Sequence, residues 1–126
     1  IPSANLHGTA CDLARMMGII ANGGQLDGQA ILSPDTVDQL TRQRILGPDR
    51  VLPFTMGWSA GLTLNTGLDI FGPDADAVGH CGWGGSCAFA APERGVSAAY
   101  VMTRQSSYLI GDPRALRLIE ATYAAL

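Results

Sequence analysis

The chain has 126 residues, 47% of them hydrophobic and 15% charged, with a formal net charge of −3. That size and apolar content fit one packed domain and exclude a disordered chain, and the acidic balance leaves no basic footprint for nucleic acid. All eight cationic side chains are Arg and none is Lys, no run approaches the ~20 apolar residues of a membrane span, and no signal peptide is evident.

The opening Ile1-Pro2-Ser3-Ala4 starts in apolar text, as the beginning of a piece of a longer protein would. Thr9-Ala10-Cys11-Asp12 then has the Thr-x-x-acid form of a helix start, with an anion at the positive end of the dipole. Leu13, Met16, Met17 and Ile20 follow at helical spacing, and Asn22-Gly23-Gly24 stops the run because glycine accepts the left-handed conformation of a helix end. His7, just ahead of this helix, reads as a local hydrogen-bonder. Asp27-Gly28 between two short extended pieces predicts a tight turn. Ser33-Pro34-Asp35 opens a second helix, with Val37 and Leu40 on its inner face, fraying by Arg44. Gly47-Pro48-Asp49-Arg50 reads as a loop.

Thr55 to Asn65 alternates large apolar residues (Met56, Trp58, Ala60, Leu62, Leu64) with small ones, which predicts one strand. A loop rich in Gly, Asp and Pro covers Thr66 to Asp76, where Asp74 and Asp76 are expected to be solvated charges. Ala77-Val78 leads into Gly79-His80-Cys81-Gly82-Trp83-Gly84-Gly85-Ser86, and Cys87–Ala91 leads out, so the stretch predicts strand, glycine-rich bend, strand. Pro92-Glu93-Arg94-Gly95 turns the chain, and Val96 to Thr103 returns with both faces apolar, a pattern expected inside a sheet. Asp112-Pro113 caps a last helix carrying Leu116, Ile119, Tyr123 and Leu126. The whole predicts an α+β fold: a single segment 1–126, with helices and a short hairpin over 1–54, antiparallel strands over 55–104 and a C-terminal helix over 112–126. The helices are expected to cover one face of the sheet.

Glycine at the density of 79–86 suits a place where backbone must approach something closely. A phosphate cradle would run from strand to helix and use a lysine, and neither condition holds. His80 and Cys81 are adjacent on a strand, so they neither face each other nor make a metal set, and no metal or other cofactor is expected. Cys81 and Cys87 read as small buried hydrophobes. With Cys11 they make an odd count without framework spacing, which favours free thiols in a reducing, cytoplasmic setting, a disulfide between two of them and secretion of a longer parent staying open. Arg104 at a strand end suggests a rim ion pair, and Tyr100 and Trp58 suggest core.

His80-x-Gly82-x-Gly84-Gly85-Ser86, followed by Pro92-Glu93-Arg94-Gly95 and Tyr100-Val101-Met102-Thr103-Arg104, resembles the C-terminal end of the serine β-lactamase-like hydrolases. It is most similar to the esterases related to class C β-lactamases, with a penicillin-binding-protein-like fold. Asn22-Gly23-Gly24, Gly28, Ile31-Leu32-Ser33-Pro34 and Val37 are similar to the segment before that sheet, so the resemblance runs from about Asn5 onward. It implies that His80-Cys81-Gly82 holds the place of the family's Lys-Thr-Gly, beside a Ser-x-x-Lys nucleophile. It implies catalytic roles for His80, Gly82 and the Trp83 backbone N–H, the last as an oxyanion donor. Cys81, Gly84 and Gly85 would line the substrate.

Two departures follow. Histidine in place of lysine is mostly neutral at pH 7, which favours small neutral ester (or amide) substrates over acidic β-lactams. With no lysine the Ser-x-x-Lys motif is missing, so the chain is expected to be the C-terminal part of a longer hydrolase and inactive alone. Its expected partner is the N-terminal part of that hydrolase, and without it dimerisation or element swapping through an exposed edge. Two other readings stay open: a non-catalytic binding or structural module, and a β-lactamase or DD-peptidase.

Overall fold

The computed structural model describes residues 7–126; the opening Ile1-Pro2-Ser3-Ala4 and Asn5, where the resemblance begins, lie outside them. Helix α1 spans Ala10–Ala21 and begins with the expected reciprocal cap between Thr9 and Asp12. The Asp27-Gly28 turn joins β1 (Gln25–Leu26) to β2 (Gln29–Ala30), and α2 (Pro34–Thr41) is capped by the Ser33 hydroxyl. The six-stranded sheet follows as an antiparallel meander: β3 (Ile45–Pro48), β4 (Thr55–Trp58), β5 (Thr63–Leu64), β6 (Val78–Cys81), β7 (Cys87–Ala91) and β8 (Val96–Tyr100), neighbours in space as in sequence. Helix α3 (Pro113–Ala124) closes the described chain, with Asp112 at its cap. The expected α+β class with an antiparallel sheet and a C-terminal helix holds.

The structure corrects several expectations. The alternating run Thr55–Asn65 is a hairpin, not one strand: Ser59 N–H donates to the Leu62 carbonyl at 2.9 Å, and Gly61 supplies a positive φ of +111°. Alternation survives a tight reversal, so periodicity alone misses the turn. Ile45–Pro48, expected as the end of a frayed helix and a loop, is an edge strand paired with β4; an edge tolerates Pro48 because the missing N–H can face outward.

The third correction concerns the helices, which lie on both faces. Ile20 and Ala21 of α1 pack with Leu64, Val78 and Ala90 on one side, joined by Val37 and Leu40 of α2. Ala115 and Ile119 of α3 pack with Phe71, Cys87, Phe89 and Ala91 on the other. β8, expected to run to Thr103 inside the sheet, ends at Tyr100 and is the sheet's edge strand, half-buried throughout, because its apolar faces need cover above and below and not a strand at each side. Helix α1 reaches it closely: a Cβ on Gly18 would stand 3.3 Å from Ser97 Oγ. Burying Phe89 (1% exposed) between the rings of Phe71 and Tyr123, at 6.0 and 6.2 Å, contributes about 1.5–3 kcal/mol through area and somewhat more through ring packing.

The Thr66–Asp76 loop is pinned rather than loose. Buried Asn65 donates to the carbonyls of Gly72 (2.7 Å) and Asp74 (3.0 Å) and accepts from the Phe71 N–H at 2.9 Å, which drives Ile70 and Phe71 into the core. Asp74, expected to be solvated, is 10% exposed and pairs with Arg94 at 2.7 Å, and Asp76 accepts from the Glu93 N–H at 2.8 Å. No helix among the described residues is long and apolar enough to cross a membrane.

Candidate active site

The β6–β7 hairpin carries the glycine-rich stretch at its tip. Inside the turn, Gly82 N–H donates to the Ser86 carbonyl (2.8 Å) and Gly85 N–H to the Gly82 carbonyl (3.1 Å). From outside, Gly84 N–H donates to the Tyr108 carbonyl (3.0 Å), while the Gly84 carbonyl accepts from Ser106 N–H at 2.9 Å and Arg114 Nη2 at 3.3 Å. Of Gly82, Trp83, Gly84 and Gly85, Trp83 alone has a backbone N–H without an acceptor among the described residues. A loop tip that ties down the neighbours of one free donor holds that donor in a fixed direction.

Gly84 and Gly85 have φ of +108° and +117°, where a side chain strains the backbone. Both are buried against protein: a Cβ on Gly84 would meet Gln105 at 3.1 Å, and one on Gly85 would meet Asp112 Oδ2 at 2.5 Å and Arg114 Nη2 at 2.8 Å. The Cβ of an alanine at 82 would run into Ser86 Oγ. Gly82, to which the resemblance gives a catalytic role, and Gly84 and Gly85, which it sets against the substrate, are packed here against Ser86, Gln105, Asp112 and Arg114.

Asp112 and Arg114 form the clamp behind the turn, a part that sequence reasoning took only as a helix cap. Asp112 is 3% exposed and accepts from the Arg114 N–H (2.8 Å), Arg114 Nε (3.0 Å) and Ser106 Oγ (2.6 Å). The Arg114 guanidinium, followed by the Ser106 hydroxyl, holds its carboxyl far below the usual range. Arg114 also donates to the Arg104 carbonyl at 2.8 Å, so Arg104 serves through its backbone, and the ion pair expected there is not formed among the described residues. The signal available in sequence was Asp112 two residues before an arginine at a helix start, which an ordinary cap shares.

His80 is exposed near the end of β6, its Nδ1 lying 2.8 Å from the Cys81 carbonyl and its ring 5.9 Å from that of Trp58. Trp58 is itself held by its indole N–H donating to Asp49 at 3.1 Å. Between these rings and the turn opens a cavity of about 210 Å³, walled chiefly by Met56, Trp58, Ile70, Leu109 and Ile110, with His80, Cys81 and Trp83 on its border. The Trp83 side chain is 74% exposed at its mouth. The structure therefore gathers His80, Cys81 and Trp83 at one apolar cavity and sets Gly82, Gly84 and Gly85 behind them as the frame. Trp58, read as core, is half-buried and walls the same cavity; Tyr100, read the same way, does pack against the α3 core.

Comparison with known proteins agrees with this architecture. Residues 2–121 match the family described as Beta-lactamase. The chain is 43% identical to an esterase/beta-lactamase, LipL, of Mycobacterium tuberculosis over 111 residues, which are 87% of this chain and 25% of that protein. A penicillin-binding protein homolog from Caulobacter crescentus superposes on all of the chain with a TM-score of 0.96 at 56% identity, over 34% of its own length. A family VIII carboxylesterase superposes on 90% of it with a TM-score of 0.86 at 40% identity, over 31% of its own length. The chain thus spans about a quarter to a third of the relatives it matches.

Proposed function

Because the chain belongs to the beta-lactamase family, we propose that it forms the sheet wall of a serine-hydrolase cleft for small neutral esters. In this reading the Trp83 N–H donates to the oxyanion. The observation that carries it is the hydrogen-bond pattern of the hairpin tip, where the N–H groups on both sides of Trp83 are engaged and its own has no acceptor among the described residues. When a nucleophile adds to an ester carbonyl, charge moves onto the oxygen, and a donor fixed beforehand stabilises it without reorganising. Such donors are worth roughly 2.7–4 kcal/mol in the transition state.

The adjoining cavity suits an uncharged acyl or alcohol group, since most of its lining is aliphatic or aromatic and no carboxylate or arginine borders it. An imidazole, not an ammonium, stands beside it at His80, which supports neutral esters over acidic β-lactams. The nucleophilic serine and its base would come from the remainder of a longer protein, so these 126 residues, with no lysine, would not complete the reaction alone. That remainder would pack on the uncharged groove of about 230 Å³ between β8 and α3, lined by Ala98, Tyr100, Leu118 and Thr122, beside the unpaired edge of β8.

The test is hydrolysis of short-chain p-nitrophenyl esters by the full-length protein. Trp83→Pro deletes the N–H and should lower kcat by about 10²–10³. Trp83→Ala keeps the N–H, so kcat should hold while KM changes. An unchanged kcat in a Trp83→Pro protein with native circular dichroism sinks the oxyanion role. His80→Lys should raise turnover of a chromogenic cephalosporin relative to the ester; a ratio that does not move removes the substrate argument.

A further inference from the structure

Cys81 ends β6 and Cys87 begins β7, and the hairpin register sets them directly opposite each other. The next rung, Gly82 against Ser86, carries a backbone hydrogen bond. Hydrogen-bonded and non-hydrogen-bonded rungs alternate in an antiparallel pair, so the cysteines occupy a non-hydrogen-bonded rung, where Cα atoms approach to about 4.5 Å. That separation lies inside the ~4.4–6.8 Å a disulfide spans. Both side chains join the same core on the α3 face, and both are free thiols.

The two thiols are unequal. Contact with Cys87 holds the Cys81 thiol below the usual range, with help from the Gly111 N–H, while contact with Cys81 and burial push Cys87 up. Their access differs in the same sense. Cys81 is half-buried at the border of the cavity beside Trp83, whereas Cys87 is 5% exposed at the floor of the groove between β8 and α3. A small oxidant entering the cavity therefore first meets the sulfur that ionises more readily.

We propose that Cys81 and Cys87 form a dithiol redox site, oxidised by hydrogen peroxide, whose disulfide ties β6 to β7 at the root of the Trp83 turn. The Cys81 thiolate attacks the peroxide, forming an S–O bond as the O–O bond breaks, and the departing hydroxide takes up the proton released by the thiol to leave as water. Cys87 sulfur then attacks the Cys81 sulfenic acid, forming S–S as S–O breaks, and its proton leaves with the hydroxide as a second water. Two thiols are oxidised, one peroxide is reduced, and a small dithiol reverses the change. The site stands whether or not the hydrolase reading does, because it is read by mass and not by turnover.

The experiment treats the full-length chain with hydrogen peroxide, alkylates remaining thiols under denaturing conditions and maps the peptides. Alkylation of Cys81 and Cys87 should be lost together and a Cys81–Cys87 cross-linked peptide should appear, both restored by dithiothreitol. Exposed Cys11 serves as the internal control and should stay alkylatable longer. In Cys87→Ala the cross-link should vanish and Cys81 should stop at a sulfenic acid trapped by dimedone. Persistent alkylation of both cysteines, a linkage to Cys11 instead, or sulfinic acid on Cys81 of the unaltered chain without the cross-link would overturn the proposal.

Discussion

β6, β7 and β8 lie between α1 on one face and α3 on the other, and their inward residues Val78, Phe89, Ala90 and Ala91 are 0–1% exposed. The other half of the same sheet, β3 to β5, thins toward its β3 edge: Met56 of β4 and Leu64 of β5 are buried, but Ile45 is 64% exposed, Leu46 48% and, in the loop between β3 and β4, Val51 90%. The candidate site sits on the seam between the halves. Its donor hangs from the packed half, where Asp112 and Arg114 clamp the turn, and its cavity opens toward the thin half, where Trp58 and Met56 form the wall. The proposed function asks for a fixed donor and a roomy pocket, and the seam offers each from a different side.

The sharpest way to break this contrast is to truncate one apolar side chain in each half. Phe89→Ala empties the stack between Phe71 and Tyr123 and should cost about 3–5 kcal/mol. Ile45→Ala, on the exposed strand, should cost under about 0.5 kcal/mol, as surface changes do. Urea unfolding of both variants measures the difference. Equal losses would mean that the thin half is as firmly packed as the other.

A smaller effect separates two glycines of one turn. Gly85→Ala forces a side chain onto a positive φ and against Asp112, and should cost about 1–3 kcal/mol. Gly82 needs no positive φ, and the Ser86 hydroxyl that blocks its Cβ can rotate away, so Gly82→Ala should cost under about 1 kcal/mol. Thermal unfolding ranks the pair. If Gly82→Ala proves the worse, the clamp behind the turn is not what sets the glycine requirement.

The two halves also differ in how far they could be read from sequence. Thr9, Ser33 and Asp112 announce their helices because caps are local chemistry, and the β6–β7 hairpin follows from apolar runs flanking a glycine cluster. The thin half misleads for the same local reason: Met56, Trp58, Leu62 and Leu64 keep strict alternation through a reversal that only Ser59 and Gly61 betray. Which face a helix covers is not local, so the two-sided burial of Phe89 and Ala90 stayed hidden. The resemblance to β-lactamase-like hydrolases pointed to His80 and Trp83. The Asp112–Arg114 pair is local, but its reach to the Gly84 carbonyl, like the Asp74–Arg94 pair and the Trp58 wall, depends on contacts across long sequence separations, which no motif spells out.

The smallest expected effect probes one of two buried side-chain atoms without a hydrogen-bond partner among the described residues, the other being Asp76 Oδ1. Tyr123 stacks on Phe89 and lies under the Arg94 guanidinium, but its hydroxyl is buried without a hydrogen-bond partner among the described residues. Burial first, and then the nearby Asp74 carboxylate, push its pKa up to about 12. A pKa raised on folding means that the folded state holds the phenol proton more tightly than the unfolded chain, where it titrates near 10. Stability linked to this group is therefore complete below about pH 10 and falls as pH rises toward about 12. Tyr123→Phe keeps the ring stack and removes both the lone hydroxyl and the titration. At neutral pH it should change stability by less than about 0.5 kcal/mol or raise it slightly, since no hydrogen bond is lost. Above about pH 10 it should unfold at higher urea than the unaltered chain, and the gap should widen with pH. Parallel urea midpoints of the two proteins through that range would place the cause elsewhere, most directly in the arginine pairs that hold Asp74 and Asp112.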